Sequence, residues 1–203
     1  MLVDTHCHLA ATAFDADRAD VLERAWTAGV GHIVVIGEAR PAAEQALRLA
    51  AAEPKLSVVA GIHPHDAKEW SPEAEAWLSQ LFQDPRVVGA GEMGLDYHYD
   101  HSPRAAQHAA FEAQLHLARQ SGLPAVIHAR EADDDIAAVL RAHPDVTVVL
   151  HSFSSGPSLL RAGLDAGHYL SFRGMVTFKN WALDDALRDR KSTRLNSSHP
   201  YRS

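Results

Sequence analysis

The sequence predicts an α/β fold of the (β/α)8 TIM-barrel type that lacks the eighth β/α unit in this chain. Short β-rich runs alternate with longer Ala-, Leu- and Glu-rich helical runs along 203 residues. Nearly continuous apolar strands are typical of a parallel sheet covered on both faces. An open doubly wound sheet fits this alternation equally well. Candidate functional residues, however, follow five different strands, whereas an open sheet gathers its site at one switch point. This spread favours the barrel.

Seven strands and the helices between them follow from local sequence signals. The predicted strands occupy residues 3–5, 32–37, 57–62, 87–91, 125–128, 147–150 and 169–172. The predicted helices occupy residues 15–28, 41–52, 71–82 and 102–120, and further helices separate the last three strands. Ser71 followed by Pro72 is a favourable pair for the start of a helix. Gly29, Gly122 and Gly167 stand where helices should end.

Residues 190–203 differ in composition from the rest of the chain. They include four basic residues and no acidic one, and they are rich in Ser. Because they show no apolar period, they predict no eighth strand and no ordered structure. We therefore expect an incomplete barrel domain at residues 1–189 and a disordered, non-native-looking tail at residues 190–203. The natural protein is expected to continue past about residue 189.

Composition excludes several classes of protein. A formal net charge of −7 argues against a broad basic surface for duplex nucleic acid, although bound divalent cations can hold a phosphate locally. No apolar run approaches the roughly 20 residues that span a bilayer, and the N-terminus shows no signal-peptide pattern. The single cysteine, Cys7, suits a reducing cytoplasm. We expect a cytoplasmic monomer that does not bind membranes.

His6 and His8 form the first part of a candidate metal site. They follow the first predicted strand in the string VDTHCHL. Because side chains alternate along a strand, both imidazoles face one side, where they can share a cation, while Cys7 faces the other. The spacing alone is weak evidence, since a chain with 14 histidines produces such a pair by chance, and a solvated or core pair is the alternative. The position after an apolar strand favours metal binding.

Glu92, His128 and His151 end three later apolar runs, in VVGAGE, PAVIH and TVVLH. A carboxylate in the mouth of a barrel is costly unless it is paired. Glu92 could bind one of two cations with each oxygen, or be a salt-bridged rim residue. Each histidine alone fits a core position as well, but equivalent positions on adjacent strands predict a second metal pair. Two divalent cations would supply a hydroxide nucleophile at neutral pH. The mixed ligand set suits Zn²⁺ or Mn²⁺, with Mg²⁺ as a further candidate.

Other polar residues near the mouth are candidates for substrate contact or for catalysis. His63 and His65, in GIHPH after the third strand, could bind a substrate phosphate or cap their own loop. Asp96, in GLDY, is a candidate catalytic residue beside Glu92: it could act on a water or orient a ligand, but it could equally cap a turn. Three basic residues beyond strands five and seven could meet a phosphate or remain solvated, namely Arg130, Arg173 and Lys179.

Taken together, VDTHCHL, GIHPH, GEMGLDYHYD, LHSFSSG and SFRGMVTFKN resemble the TatD family of metal-dependent deoxyribonucleases over about residues 1–185. The resemblance implies a (β/α)8 barrel of the amidohydrolase-like type that binds two divalent cations. In the family, the positions that match His6, His8 and Glu92 serve one cation, and those that match Glu92, His128 and His151 serve the other. The implied activity is hydrolysis of phosphodiester bonds, often from an end. The implied partner is DNA, as ends or single strands.

One family motif is missing from this chain. The family continues into an eighth-strand motif of the form E-T-D-x-P, whose aspartate completes the first metal site. This sequence contains no such string. Asp184 and Asp185 stand in the helical context WALDDALRD and are poor substitutes. The resemblance therefore predicts a site that lacks one ligand.

Two other functions remain open at this point. A related barrel hydrolase could act on a small ester, amide or lactone. Many such relatives carry a carboxylated lysine on strand four, where this chain has Glu92, which favours the nuclease. The chain could also be an inactive metal-binding fragment, because unpaired strands at an open barrel edge favour aggregation.

Overall fold

The computed structural model describes residues 1–179 and 192–194. In this part of the chain, eight strands form one parallel sheet in which each strand lies beside its neighbour in sequence. The strands are β1 (Leu2–Cys7), β2 (Val30–Gly37), β3 (Leu56–Ala60), β4 (Val87–Asp96), β5 (Ala125–Arg130), β6 (Val148–Leu150), β7 (Tyr169–Phe172) and β8 (Ser192–Arg194). This order is that of a TIM-type barrel, so the predicted fold class is confirmed. None of the pairings in the described residues joins β8 to β1.

Helices connect the strands. Those in the described residues are α1 (Arg18–Thr27), α2 (Arg40–Ala52), α3 (Pro72–Leu81), α4 (Arg104–Ser121), α5 (Asp133–Ala142) and α6 (Pro157–Asp165), with short 3-10 helices at Thr12–Phe14, Pro64–Glu69 and Gly174–Thr177. The predicted cap of α3 is confirmed, because Oγ of Ser71 accepts a hydrogen bond from the N–H of Ala74 at 3.2 Å. Gly122 ends α4 in the left-handed conformation, as predicted. Over the described residues, no helix is both long and apolar enough to cross a membrane.

Strand β4 is longer than predicted. It was expected to end at Gly91 but continues to Asp96, with Gly94 opposite His128 of β5. Gly94 has a φ of +136°, and a Cβ there would lie 2.1 Å from the carbonyl oxygen of His128. Glycine at this position therefore allows the two backbones to approach and the pairing to continue. As a result, Glu92 lies inside the strand, at a register shift between Gly91 and Met93.

The segment after residue 189 contributes an edge strand. Ser192–Arg194 pair in parallel with β7, with Leu170 opposite Ser192. The expectation that residues 190–203 supply no strand is therefore wrong for these three residues. Pairing at a sheet edge requires only backbone hydrogen bonds, which an apolar period does not reveal. The helical context of Asp184 and Asp185, the domain boundary at 189 and the remainder of the predicted disordered tail lie outside the described residues.

Two apolar clusters lie on the two sides of the sheet. The larger one packs the helices against the strands, and Phe111 and Leu115 of α4 are among its fully buried members. The smaller one consists of Ile36, Val59 and Val126. His128 follows Val126 by two residues and therefore points to the same side of the sheet. The small interior cluster thus lies beneath the polar residues at the strand ends.

Candidate metal centre

A cavity of about 330 Å³ opens at the carboxyl ends of the strands. Because parallel strands end at the same rim, residues from many strands meet there. The predicted site residues that line it are His8, His63, Glu92, His128, Arg130 and His151. Glu38, Ser152 and Arg173, which follow β2, β6 and β7, also line it. A larger groove of about 700 Å³ lies between α5 and α6 but has only one histidine, His168, and one carboxylate, Asp165, among its described lining residues.

Three of the predicted metal ligands converge on one point. Nε2 of His6 lies 3.1 Å from Nε2 of His8 and 3.3 Å from Oε2 of Glu92. Nε2 of His8 lies 4.0 Å from the same oxygen. Atoms that each bind one cation at about 2.0–2.2 Å lie roughly 3–4 Å apart. The observed spacing therefore suits a shared cation.

Glu38 orients His8 for this task. Oε2 of Glu38 lies 3.0 Å from Nδ1 of His8. Nδ1 therefore carries a proton and donates a hydrogen bond to this carboxylate. In the neutral ring, Nε2 then presents a lone pair toward His6 and Glu92. Burial disfavours a charge on His8, but the hydrogen bond to Glu38 and the charges of Glu38 and Glu92 outweigh it and raise the pKa of His8. Glu38 was not predicted from the sequence, although its place directly after an apolar strand, in VVIGEAR, is the same signal that identified the other ligands.

Glu92 connects two groups of histidines. It is only 4% exposed; its Oε2 faces His6 and its Oε1 lies 3.1 Å from Nδ1 of His128. Burial alone would raise the pKa of Glu92. The charges of His151 and His6 and the hydrogen bonds from His128 and His6 instead lower this pKa well below its usual range. The carboxylate is therefore ionised, and its two oxygens face two different sides of the mouth.

Asp96 is completely buried and holds several groups in place. Its Oδ1 accepts the backbone N–H groups of His98 and Tyr99 at 3.1 and 2.9 Å. Its Oδ2 lies 3.0 Å from Nε2 of His65 and 2.9 Å from Nε2 of His128. Burial opposes ionisation, but these hydrogen bonds, led by that of His128, hold the pKa of Asp96 below its usual range. The geometry thus makes Asp96 a turn cap and a positioning residue.

His128 lies between two carboxylates. Burial disfavours its charge, but hydrogen bonds to Asp96 and Glu92 raise its pKa to about 9. When the proton on Nδ1 is lost, Asp96 still accepts the N–H of Nε2. Nδ1 then presents a lone pair beside Oε1 of Glu92. A carboxylate that fixes the tautomer of a ligating histidine is typical of metal sites.

His63 also lies close to Glu92 and His128, within 4.8 Å as measured between ligand atoms. Its Nδ1 accepts the backbone N–H of His65 at 3.1 Å, and burial lowers its pKa to about 4. The ring is therefore neutral and carries its proton on Nε2. That nitrogen is a hydrogen-bond donor, which suits contact with an oxygen of a substrate better than contact with a cation.

His151 lies at the centre of the mouth beside His6. Their ring centroids are 3.4 Å apart and the planes differ by 10°. Nδ1 of His151 lies 3.4 Å from Oγ of Ser171. The two groups of convergent ligand atoms in the described residues do not include His151. Its expected pairing with His128 at one cation stays a prediction.

Two glutamines of α4 fix the loops that carry site residues. Gln114 accepts the N–H of Ile62 at 2.8 Å and donates to its carbonyl oxygen at 3.0 Å. Gln107 makes the same pair of hydrogen bonds with the backbone of Asp96, at 2.8 and 3.1 Å. Neither glutamine was predicted from the sequence as a residue that supports the site. Two polar residues seven apart on the buried face of an otherwise apolar helix are the signal that could have identified them.

The predicted basic residues have different positions. Arg130 lines the cavity, and its guanidinium carbon lies 4.7 Å from the centre of the Tyr99 ring. Arg173 also lines the cavity. Lys179 is exposed and is not among the lining residues. The structure therefore brings two of these three predicted residues to the site.

The donor set fits divalent cations. A buried, ionised carboxylate directs one oxygen at each of two histidine groups. The ring tautomers of His8 and His128 are each controlled by a neighbouring carboxylate. Mixed imidazole and carboxylate ligands are typical of Zn²⁺ and Mn²⁺ sites.

Comparison with known proteins agrees with this chemistry. A family described as "TatD related DNase" matches residues 3–197. A relative from Bacillus subtilis, named "Uncharacterized metal-dependent hydrolase YabD", is 39% identical over 182 residues, which cover 89% of this chain and 71% of that protein. A relative from Salmonella typhimurium, named "3'-5' ssDNA/RNA exonuclease TatD", is 34% identical over 177 residues, which cover 86% of this chain and 68% of that protein.

A solved structure shows the same architecture. The crystal structure of YjjV, a TatD homologue from Escherichia coli, superposes with a TM-score of 0.84 at 29% identity and covers 92% of this chain and 73% of that one. The family match, the identity to curated relatives and the shared fold all point to one assignment. The chain belongs to the TatD-related DNase family of metal-dependent hydrolases.

Proposed function

We propose that this chain hydrolyses phosphodiester bonds of DNA, from an end and preferably in single strands, with the help of two divalent cations. The proposal rests on the orientation of the Glu92 carboxylate. One oxygen faces His6 and His8, and the other faces His128. A carboxylate arranged in this way can bridge two cations. The name of the Salmonella relative, a 3'-5' exonuclease of single-stranded DNA and RNA, supports the choice of substrate.

The proposed ligands divide into two sets that share Glu92. His6 and His8 hold one cation with it, and His128 and His151 hold the other. When bound, the cations act as Lewis acids that lower the pKa of a water and neutralise charge on the phosphate. The ligand set favours Zn²⁺ or Mn²⁺, with Mg²⁺ as a third candidate. The single cysteine of the chain, Cys7, is buried and supports placing this activity in a reducing cytoplasm.

Two groups that point into the cavity are proposed to hold the substrate phosphate. The N–H of Nε2 in His63 donates a hydrogen bond, because its Nδ1 is already an acceptor. Arg130 contributes positive charge at the rim. His65 donates to Asp96 at 3.0 Å and therefore acts by positioning its neighbours.

An aromatic group at the rim supports a preference for unpaired bases. Tyr99 is 50% exposed. The guanidinium of Arg130 lies over its ring, and the centroid of the nearly parallel ring of His101 is 5.6 Å away. Single-stranded nucleic acids bind by stacking bases on aromatic rings and arginine planes. We propose that a base next to the cleaved bond stacks on this group.

The ligand set of the first proposed cation, which would activate a water, is the least complete part of the site. The family resemblance assigns an aspartate of the E-T-D-x-P motif to the first cation, and this sequence has no such string. Asp96 does not substitute for it, because its oxygens already accept hydrogen bonds from two backbone N–H groups and two histidines. We therefore propose that full activity depends on an eighth β/α unit that supplies this aspartate.

The test is a nuclease assay with two versions of the protein, this chain and an extended chain. In the extended chain, a β/α unit with the E-T-D-x-P motif takes the place of β8. Each is incubated with end-labelled single-stranded and duplex DNA and with Mn²⁺, Mg²⁺, Zn²⁺ or a chelator. We expect cation-dependent release of nucleotides from one end of the single strand, faster with the extended chain. Glu92→Gln should abolish it, whereas Glu112→Gln, a matched change on the exposed face of α4, should not. Hydrolysis of a small ester or amide panel in place of DNA would contradict the proposal.

A further inference from the structure

We propose that Ser152 and Arg173 form a phosphate-binding subsite on the β6–β7 side of the mouth. The two residues follow neighbouring parallel strands, and both line the 330 Å³ cavity that contains Glu92. The proposal rests on the proposed function, because it states where a phosphate of the nucleic acid strand binds. The subsite consists of residues other than the proposed cation ligands, although Ser152 directly follows His151.

The backbone holds Ser152 next to the end of β7. The N–H of Ser152 donates to Oγ of Ser171 at 2.9 Å, and the N–H of Phe153 donates to the carbonyl oxygen of Ser171 at 2.8 Å. Ser152 has a φ of +48°, in a region that residues other than glycine seldom adopt. These hydrogen bonds therefore fix the turn that brings the hydroxyl of Ser152 to the same wall of the cavity as Arg173.

Both side chains carry an unsatisfied, buried donor beside the cavity. Oγ of Ser152 and Nε of Arg173 are buried and have no hydrogen-bond partner within the described part of the chain. Buried polar atoms in native proteins are almost always satisfied by protein, water or a ligand, because an unpaired one is costly. A serine hydroxyl and an arginine N–H both donate. Their natural common partner is an oxygen that accepts two hydrogen bonds.

The charge of this wall also favours an anion. Carboxylates elsewhere in the mouth are matched by histidines, as Glu38 is by His8 and Glu92 by His6. Among the ion pairs of the described residues, none involves Arg173. Its positive charge attracts a phosphate. Arginine presents planar N–H donors that match phosphate oxygens, and each phosphodiester of a strand carries one negative charge.

The experiment measures anion binding without cations. The chain, kept in a chelator, is titrated with inorganic phosphate and with a short phosphorothioate oligothymidylate that resists cleavage. We expect Arg173→Gln to weaken binding of the oligonucleotide by roughly 10-fold, the effect of losing a hydrogen bond to a charged group. It should also lower the salt dependence of binding by about one phosphate contact. Ser152→Ala should weaken binding less, and Arg173→Lys should lie between wild type and Arg173→Gln.

Arg48→Gln is the matched control, because Arg48 is exposed on α2 and bonds only to Gln45 in the described residues. Equal affinities of wild type and a folded Arg173→Gln variant would overturn the subsite, as would an equal loss in Arg48→Gln. Folding of each variant is checked by circular dichroism and thermal unfolding. If Arg173-dependent binding is found but neither this chain nor the extended chain cleaves DNA, the subsite stands and the proposed function falls. If DNA is cleaved but binding does not depend on Arg173, the reverse holds.

Discussion

The β4–β5 side of the mouth and its β6–β7 side satisfy their polar groups in different ways. On the first side, Asp96 accepts four hydrogen bonds and His128 has a carboxylate at each ring nitrogen. On the second side, Ser152 and Arg173 each keep a buried donor without a partner in the described residues. The first side is complete within the protein and suits fixed cation ligands. The second is completed only by a further acceptor. The contrast supports the proposal that Ser152 and Arg173 bind an anion, whereas the β4–β5 side offers cation ligands.

The largest effect is expected at Glu92, the carboxylate that faces both groups of histidines. Glu92→Gln removes the charge that two histidine groups share, and it leaves only one oxygen as an acceptor. We expect Mn²⁺ affinity, measured by calorimetric titration, to fall by more than the roughly 10- to 100-fold typical of residues that only orient a ligand. Glu112→Gln should bind Mn²⁺ as the wild type does. Unchanged affinity in Glu92→Gln would show that this residue is not a ligand.

Asp96→Asn tests whether the β4–β5 side acts by positioning. The amide no longer accepts from both histidines, so His128 loses the acceptor that fixes its tautomer. We expect Mn²⁺ affinity to fall by about 10- to 100-fold. Asp100→Asn at the exposed rim is the control and should leave affinity unchanged. A loss in Asp96→Asn as large as that of Glu92→Gln would argue that Asp96 is itself a ligand.

His128, on the same side of the mouth, should titrate in the metal-free protein. The pKa of His128 is raised from 6.5 to about 9, so the folded state holds its proton more tightly than the unfolded state does. The associated stability is fully present below pH 6.5 and is lost as the pH rises through 9. We expect the free energy of unfolding, measured in urea with a chelator, to fall over this window by on the order of 3 kcal/mol. His128→Gln should flatten the profile; a flat profile in the wild type would contradict the ion-pair geometry.

Gln114→Met tests whether the hydrogen bonds of Gln114 hold the loop after β3 in place. The change keeps the size of the side chain but leaves the N–H and carbonyl of Ile62 without their partners. We expect the free energy of unfolding to fall by about 1–3 kcal/mol. Gln120→Met, on the exposed face of the same helix, should change it by less than about 0.5 kcal/mol. Equal stabilities of the two variants would mean that the loop after β3 does not depend on Gln114.

Ser152→Ala should have the smallest effect on stability. Because the hydroxyl has no partner within the described chain, its removal breaks no hydrogen bond there. We expect the free energy of unfolding to change by less than about 0.5 kcal/mol, while anion binding weakens. A loss comparable to that of Gln114→Met would show that the hydroxyl is satisfied in the folded protein, and the two sides of the mouth would then not differ.

Much of the fold was accessible from the sequence because strands and helices alternate with clear signals. Glu92 and His128 were placed at one rim for the same reason, since each follows an apolar run. Local patterns could not reveal that β4 continues past Gly91, because this depends on the close approach of β5 at Gly94. The edge pairing of Ser192–Arg194 with β7 also has no side-chain signature.

Within the site, the sequence did not separate ligands from residues that orient them. His63 and Asp96 carry side chains that could bind a cation. Their hydrogen bonds, to the backbone N–H of His65 and to two histidines, decide their tasks. Glu38 was missed because a single glutamate after a strand is common, and only its contact with His8 distinguishes it. Such assignments depend on distances between strands far apart in sequence.

We propose that Glu92 joins two cation sites in this mouth. Anomalous scattering from crystals grown or soaked with Mn²⁺ tests this proposal. We expect two peaks, one among His6, His8 and Glu92 and the other beside Glu92 and His128. A map with no peak in contact with Glu92, or with Mn²⁺ only at surface carboxylates, would contradict it.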